Sequence, residues 1–158
     1  MSIWSYANPQ GKDPSKELCD VLIICDLYLA IISVKEREYS DSQDDDVSIK
    51  RWQRRTIDNS VKQIYGAERW LQSQSRVIRS DGSEGLIIPQ QPDLNVIRIA
   101  IALGSEGKLP YYSGNFGKGY VHVFDDISFE IVLKELDTIN DFLSYPTLIL
   151  NSKLPSPS

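Results

Sequence analysis

The stretch that most constrains the fold is residues 17–35, which read ELCDVLIICDLYLAIISVK. Two apolar runs rich in β-branched side chains, 21–25 and 28–34, are separated only by Asp26 and Leu27. β-Branched residues favour strands, and two short apolar runs joined by two residues are typical of a tight antiparallel hairpin. The pattern therefore predicts a buried hairpin whose turn consists of Asp26 and Leu27.

The length of this turn also predicts how the two strands pair. With Asp26 and Leu27 as the loop, Asp20 lies directly opposite Ser33. Residues that face each other across antiparallel strands share one side of the sheet, and side chains alternate along each strand. Lys35, two positions beyond Ser33, is therefore expected on the same side as Asp20.

A helix is expected just before the hairpin. Asp13 followed by Pro14 suits a helix start, with the Asp side chain as N-cap and Pro at the first helical position. Residues three apart on a helix are neighbours, so one helical turn would bring Glu17 to the same side as Asp20. We therefore expect two carboxylates, a hydroxyl and an amine to converge at one end of the hairpin.

This set of residues resembles the core of the PD-(D/E)XK nuclease-like superfamily, which includes restriction endonucleases and Holliday-junction resolvases. Glu17 matches the acid of the first helix, Asp20 the metal-binding Asp, and Lys35 the Lys of the acid-x-Lys motif. Ser33 stands where the superfamily has a second metal-binding acid. The resemblance implies a catalytic set of Glu17, Asp20, Ser33 and Lys35, in which Glu17 and Asp20 hold Mg²⁺ or Mn²⁺ and Lys35 orients or activates the attacking water.

The resemblance implies that the chain is a metal-dependent nuclease that hydrolyses phosphodiester bonds in DNA. One or two carboxylates can suffice for magnesium, which usually keeps several of its waters. The same residues also allow a simpler interpretation, in which Glu17 is a helix-surface acid, Asp20 and Lys35 form an ion pair, and Ser33 fills space. The missing acid at Ser33 favours an alternative function, a catalytically inactive nuclease-like module that binds nucleic acid, a protein partner or a second copy of itself.

Residues 48–75 carry the longest helical pattern in the chain. Apolar residues recur there at steps of three and four. The opposite face carries the candidate nucleic-acid contacts, which are Arg51, Arg55, Lys62 and Arg69. Such a row of cations can displace the counterions condensed on a polynucleotide, although a solvated helix face is the alternative. The run 62–67, KQIYGA, also resembles the Gln-bearing helix of exonuclease branches of the superfamily.

The rest of the chain completes the expected fold, an α/β sandwich of the restriction-endonuclease-like type with a mixed central sheet flanked by helices. The patterns predict short strands at 76–79, 86–88, 96–103 and 120–124, and helices at 127–136 and 139–145. We expect 1–13 to be an irregular arm, 14–150 a single domain and 151–158 a disordered tail or linker. The glycine- and tyrosine-rich segment 104–119 lacks the spacing of a phosphate-binding loop, so no nucleotide cofactor is expected.

Composition limits the setting of this site. With 158 residues and 41% hydrophobic content, the chain can bury the core of one domain. Its formal net charge is −5, so attraction to DNA must come from a local surface. The apolar runs are far shorter than the roughly 18 residues needed to span a bilayer. Two cysteines form neither a metal-ligand pattern nor a disulfide framework, and we expect a cytoplasmic protein with no membrane partner.

Overall fold

A six-stranded mixed β-sheet forms the centre of the protein. The structure is a computed structural model that describes residues 2–39, 46–90, 92 and 94–135. Its strands are β1 (Ile3–Ala7), β2 (Val21–Cys25), β3 (Tyr28–Glu36), β4 (Arg76–Ile78), β5 (Glu84–Ile87), β6 (Asn95–Leu103), β7 (Gly114–Asn115) and β8 (Tyr120–Asp125). Its helices are α1 (Asp46–Gln53), α2 (Asn59–Gln72) and α3 (Asp126–Glu135), and a π-helical turn (Arg54–Asp58) joins α1 to α2. The predicted mixed α/β class is confirmed.

The strands of the central sheet follow the order β1-β2-β3-β6-β8-β7, and β4 pairs with β5 in a separate two-stranded sheet. The pairs β1–β2 and β2–β3 are antiparallel, whereas β3, β6 and β8 are parallel neighbours. Parallel neighbours need a crossover connection, which the long helical segment supplies between β3 and β6. The hairpin and the crossover therefore meet at β3.

The β2–β3 hairpin has the predicted turn and register. Cys25 pairs with Tyr28, and the two residues between them form the turn. At the other end of β2, Val21 pairs with Ile32. Asp26 adopts a left-handed φ of 49°, which Asp tolerates better than most residues other than Gly. The hairpin prediction is confirmed.

Helices cover both faces of the central sheet. On one face, Ile64 and Ala67 of α2 belong to a core cluster that includes Leu22 and Ile31 of the hairpin. On the other face, Val132 of α3 lies in a second cluster with side chains of β6 and β8. Burial on both faces explains the nearly uninterrupted apolar sequence of β6. The sheet thus lies between the long helical segment and the C-terminal helix, as predicted.

The helix predicted over 48–75 is present as α1, the π-helical turn and α2. In the turn, the Asn59 N–H donates to the carbonyl oxygen of Arg54, five residues earlier. The buried Thr56 hydroxyl donates to the carbonyl oxygen of Trp52 at 2.9 Å. π-Helical turns are rare overall, and many of them occur at functional sites. The apolar periodicity predicted the helix but gave no sign of this turn.

The N-terminal segment differs from the prediction. The sequence predicts an irregular arm over 1–13, but Ile3–Ala7 forms β1 at the edge of the sheet. The buried Tyr6 accepts a hydrogen bond at its hydroxyl from the Leu86 N–H at 2.8 Å. Gly85 permits this approach, because a Cβ there would lie 2.9 Å from the Tyr6 ring. These contacts link distant parts of the chain, so local periodicity did not reveal the strand.

The helix predicted to begin at Asp13 is also wrong, because turns occupy this segment. Asp13 Oδ1 accepts hydrogen bonds from the Ser15 N–H and hydroxyl at 2.9 and 2.7 Å. The Lys16 N–H donates to the Asp13 carbonyl oxygen at 2.9 Å and closes the turn. The Leu18 N–H then donates to the carbonyl oxygen of Pro9 at 2.7 Å. Asp13 therefore caps a single turn, after which the chain pairs with the segment preceding it.

Some predictions concern parts of the chain outside the described residues. These are the helix at 139–145 and the tail at 151–158. Within the described ranges, no helix combines the length and the apolar character that crossing a membrane requires.

Truncation of the hairpin core should destabilise the fold. We expect Leu22→Ala to lower the free energy of unfolding by about 2–5 kcal/mol, because Leu22 is fully buried and its loss leaves a cavity. The matched control is Leu27→Ala in the turn, where the side chain is 48% exposed and the expected loss is below about 1 kcal/mol. Urea unfolding followed by circular dichroism measures both values, and equal losses would contradict the assigned burial of the hairpin.

Candidate functional site

Asp20 and Lys35 meet at the end of the β2–β3 hairpin. Lys35 Nζ lies 3.6 Å from Asp20 Oδ2, and the two side chains are 30% and 23% exposed. The Asp20 N–H donates to the carbonyl oxygen of Ile32 at 3.1 Å, which extends the hairpin pairing by one residue. The predicted convergence of this carboxylate and this amine on one side of the sheet is therefore observed, and solvent reaches both.

The Asp20 carboxylate also has a structural contact. The Val34 N–H donates to Asp20 Oδ2 at 2.8 Å. Both described contacts of the carboxylate, to Val34 and to Lys35, engage Oδ2. The Oδ1 atom is thus the oxygen that Asp20 can offer to a cation or to water, while Oδ2 fixes the orientation of the side chain.

Ser33 lies on the same side of the sheet but is buried beneath α2. Its side chain is fully buried, and its hydroxyl donates to Gln63 Oε1 at 2.8 Å. The Ser60 hydroxyl oxygen lies 3.2 Å from the Ser33 hydroxyl oxygen. These contacts satisfy the hydroxyl within the interface between β3 and α2. Ser33 therefore joins the helix to the sheet and does not present an oxygen to solvent beside Asp20.

Glu17 reaches this region from a bridge and not from a helix. It is exposed and forms an isolated antiparallel bridge with Gln10. With the Asn8 amide in the orientation that satisfies its neighbours, its nitrogen donates to Glu17 Oε2 at 3.2 Å and to the Asp20 carbonyl oxygen at 3.3 Å. Asn8 thus links the two acidic residues through one amide. No sequence pattern indicated Asn8, because its contact depends on β1.

Cys19, which lies between Glu17 and Asp20 in the sequence, carries an unreactive thiol. Burial, and then the negative charges of Asp20 and Glu17, raise the pKa of the Cys19 thiol to about 12. Thiolates are the reactive form of cysteine, so Cys19 is protonated and unreactive near neutral pH. The chemistry of this end of the hairpin therefore depends on oxygen and nitrogen groups.

Glu17 and Asp20 carry the carboxylate oxygens at this end of the hairpin, the ligand type that a hard divalent cation prefers. Magnesium prefers carboxylate, carbonyl and water oxygens, and one or two carboxylates often hold it. Oδ1 of Asp20 and the exposed carboxylate of Glu17 supply such oxygens. No cluster of three or more His, Cys, Asp or Glu side chains suited to a metal occurs among the described residues. A cation here would therefore keep much of its water shell.

Three of the four predicted nucleic-acid contacts line a second feature, which we call the basic groove. It consists of two adjoining clefts, of about 510 and 580 Å³, between the long helical segment and the loop that precedes β8. Arg51 lines the first cleft, and Lys62 and Arg69 line the second. Arg55 is exposed but does not line either cleft. The cations that complete the groove are Lys50, Arg54 and Lys118.

Comparison of the chain with protein-family models, with curated proteins and with solved structures gives no match. The interpretation of both features therefore depends on the geometry of the chain itself.

The structural contact of Asp20 can be separated from any chemical role. We expect Asp20→Ala to lower the free energy of unfolding by about 1–3 kcal/mol, because the partly buried Val34 N–H loses its acceptor. Asp20→Asn retains an oxygen acceptor, so its loss should stay below about 1 kcal/mol, the typical size of a partly exposed ion pair. Thermal or urea unfolding measures the difference, and equal losses in the two variants would exclude the hydrogen bond as the cause.

Proposed function

We propose that the protein is a metal-dependent nuclease that hydrolyses phosphodiester bonds in DNA. The observation that supports this proposal is the contact between Asp20 and Lys35, a carboxylate and an ammonium that lie 3.6 Å apart with solvent access to both. A functional site needs a cation ligand and a group that handles the nucleophile within one small region. The adjacent carboxylate and ammonium at the end of the hairpin support this pair of roles.

The fold is part of the same proposal. An antiparallel hairpin, a helical crossover and a strand parallel to the second hairpin strand follow one another along the chain. Helices on both faces of the mixed sheet agree with a restriction-endonuclease-like sandwich, which we propose as the finer description. In that arrangement the proposed active site lies where β2 begins and β3 ends.

Each side chain has a proposed role in hydrolysis. Asp20, oriented by the Val34 N–H, offers Oδ1 as a ligand, and Glu17 contributes a second carboxylate. Lys35 holds and orients the attacking water or hydroxide, since its ammonium can donate while stabilising negative charge. When bound, a divalent cation would lower the pKa of its water and neutralise charge on the scissile phosphate. Ser33 and Gln63 position β3 and have no direct chemical role.

Cations on the long helical segment are proposed to hold the DNA backbone. Arg51, Lys62 and Arg69 line the basic groove, and Arg55 is exposed beside it. Contacts between such residues and phosphates release condensed counterions and do not depend on base sequence. Local binding of this kind is compatible with the overall net charge of −5.

A second candidate function is a catalytically inactive module that binds nucleic acid or a protein partner. The burial of Ser33 favours it, because the position of a second acid is occupied by a neutral hydroxyl enclosed by α2.

We also propose a cytoplasmic location, since the two cysteines, Cys19 and Cys25, are free and buried. Free cysteines suit a reducing compartment.

Cleavage assays test the nuclease proposal. We expect DNA cleavage with Mg²⁺ or Mn²⁺ that falls at least about 100-fold in Asp20→Asn and in Lys35→Met, the range of a lost acid–base or cation-binding group. Asp20→Asn is preferred to Asp20→Ala, because it retains the acceptor for the Val34 N–H. Initial rates on labelled single-stranded and duplex DNA measure the effect.

The matched controls come from the exposed pair Asp13 and Lys16, whose side chains lie 3.9 Å apart in the preceding turn. Asp13→Asn and Lys16→Met make the same chemical changes and should leave the cleavage rate unchanged. Activity that survives both Asp20→Asn and Lys35→Met would exclude this site. Calorimetric titration with Mn²⁺ separates the two candidate functions, since an inactive module should give no heat that depends on Asp20.

A further inference from the structure

The basic groove carries cations that have no acidic partners among the described residues. Six exposed cations line it, namely Lys50, Arg51, Arg54, Lys62, Arg69 and Lys118. None of them forms an ion pair with another described residue, whereas cations elsewhere pair with nearby acids, as Arg98 does with Glu68 at 2.6 Å. Asp58 is the one acid that lines the groove within the part of the chain that the structure describes. Cations gathered in this way repel one another, and an anionic ligand would relieve that repulsion.

The two clefts of the groove share three lining residues, so they adjoin along one path. Arg54 and Asp58, the first and last residues of the π-helical turn, line both clefts, and so does Phe116. The path follows the long helical segment from Lys50 in α1 to Arg69 in α2. An elongated anion therefore fits the groove better than a compact one.

Aromatic rings form the wall opposite the helix. Tyr112 and Phe116 stack with their ring centroids 5.0 Å apart and an interplanar angle of 18°. Tyr112 is 65% exposed, so much of this residue faces solvent within a cationic cleft, while the ring also stacks on Phe116. Tyr111 lines the same cleft. Exposed aromatic rings beside cations are the combination with which proteins bind unpaired bases and their phosphates.

Hydrogen bonds hold this wall at a defined distance from the helix. Gln53 Nε2 donates to the carbonyl oxygen of Pro110 at 2.7 Å. The Tyr65 hydroxyl donates to the Gly119 carbonyl oxygen at 2.6 Å and accepts from the Phe116 N–H at 3.2 Å. The loop is thus fastened to the helical segment on both sides of the Tyr112–Phe116 stack. The aromatic surface and the cations are therefore positioned before any ligand binds.

We propose that the basic groove binds single-stranded DNA, with the phosphates along the six cations and a base stacked on Tyr112. This proposal rests on the proposed function and specifies its substrate as an unpaired strand. In a duplex the base faces are covered by neighbouring bases, so Tyr112 could stack only after a base leaves the helix. Phosphate contacts alone would bind both forms, and the aromatic wall accounts for a preference between them.

The groove is separate from the proposed catalytic residues. Val61, Lys62 and Tyr65 of α2 line it, whereas Ser60 and Gln63 contact Ser33 beneath the helix. Substitutions in the groove therefore leave Glu17, Asp20 and Lys35 unchanged, so binding and cleavage can be measured separately.

Binding assays in a chelator, which prevents metal-dependent cleavage, test this proposal. Fluorescence anisotropy with a labelled oligonucleotide should show tighter binding of single-stranded DNA than of the matching duplex, by at least about fivefold. Tyr112→Ala should weaken single-strand binding between about fivefold and 150-fold and change duplex binding little. Tyr112→Phe keeps the ring and should bind like wild type. Trp4→Ala is the matched control, because it removes an exposed aromatic residue from β1, at the sheet edge opposite to β7. It should leave the binding of single-stranded DNA unchanged.

The cations give a second, independent measurement. Arg54→Ala combined with Lys118→Ala should flatten the slope of log K against log salt by about 1.4 for single-stranded DNA, or about 0.7 for each lost phosphate contact. Lys16→Ala combined with Lys134→Ala removes two exposed cations outside the groove and should leave the slope unchanged. Circular dichroism confirms that each variant is folded. Single-stranded RNA of the same sequence shows whether the groove requires deoxyribose.

The outcomes separate this inference from the proposed function. Equal binding of single strand and duplex, or binding that is insensitive to Tyr112→Ala, overturns the single-strand proposal even if duplex cleavage depends on Asp20. Tighter binding of RNA than of DNA overturns the choice of DNA. Single-strand binding that depends on Tyr112, without cleavage under any metal condition, supports the groove and overturns the nuclease.

Discussion

The two-residue turn between β2 and β3 fixes the register of the hairpin on which the central sheet is built. Side chains alternate along a strand, so a slip of one residue in this hairpin would move each of them to the other face of the sheet. The observed register directs Leu29 and Ile31 toward α2 and Ala30 and Ile32 toward the second core cluster. Because β3 also pairs with β6 along its whole length, the same register sets the parallel part of the sheet.

The proposed active site is a direct result of this register. Asp20 and Lys35 are far apart in sequence, and they meet because pairing across the turn and alternation along β3 place them on one face. Toward the middle of β3, that face is covered by α2, which encloses Ser33. At the C-terminal end of β3, α2 covers this face only in part, and the Asp20 and Lys35 side chains reach solvent. One face of one hairpin thus changes from apolar core to polar rim within a few residues.

Features governed by local periodicity were predictable, and those governed by distant contacts were not. The hairpin, the long helix and β6 follow from strand alternation, from three- and four-residue steps and from an apolar run. The turns after Asp13 depend instead on the hydrogen bond from the Leu18 N–H to the Pro9 carbonyl oxygen. The strand β1 depends on pairing with β2 and on the hydrogen bond between Tyr6 and Leu86. Likewise, the contact of Gln63 with Ser33 depends on how α2 is rotated about its axis on the sheet. The spacing of apolar residues in the sequence determines this rotation only approximately.

The helix α2 determines both the proposed catalytic end and the groove. Its inner side holds β3 through Gln63 and Ser33, and its outer side holds the aromatic loop through Tyr65. A carboxylate at position 33 would bury a charge against the Gln63 carbonyl oxygen, at a cost of several kcal/mol without a cation, so a neutral hydroxyl keeps this contact stable. Ser33 therefore helps to hold α2, the helix that carries Lys62 and Arg69 of the groove, against β3. The packing of α2 on β3 thus sets both the surroundings of Ser33 and the position of the groove cations that α2 carries.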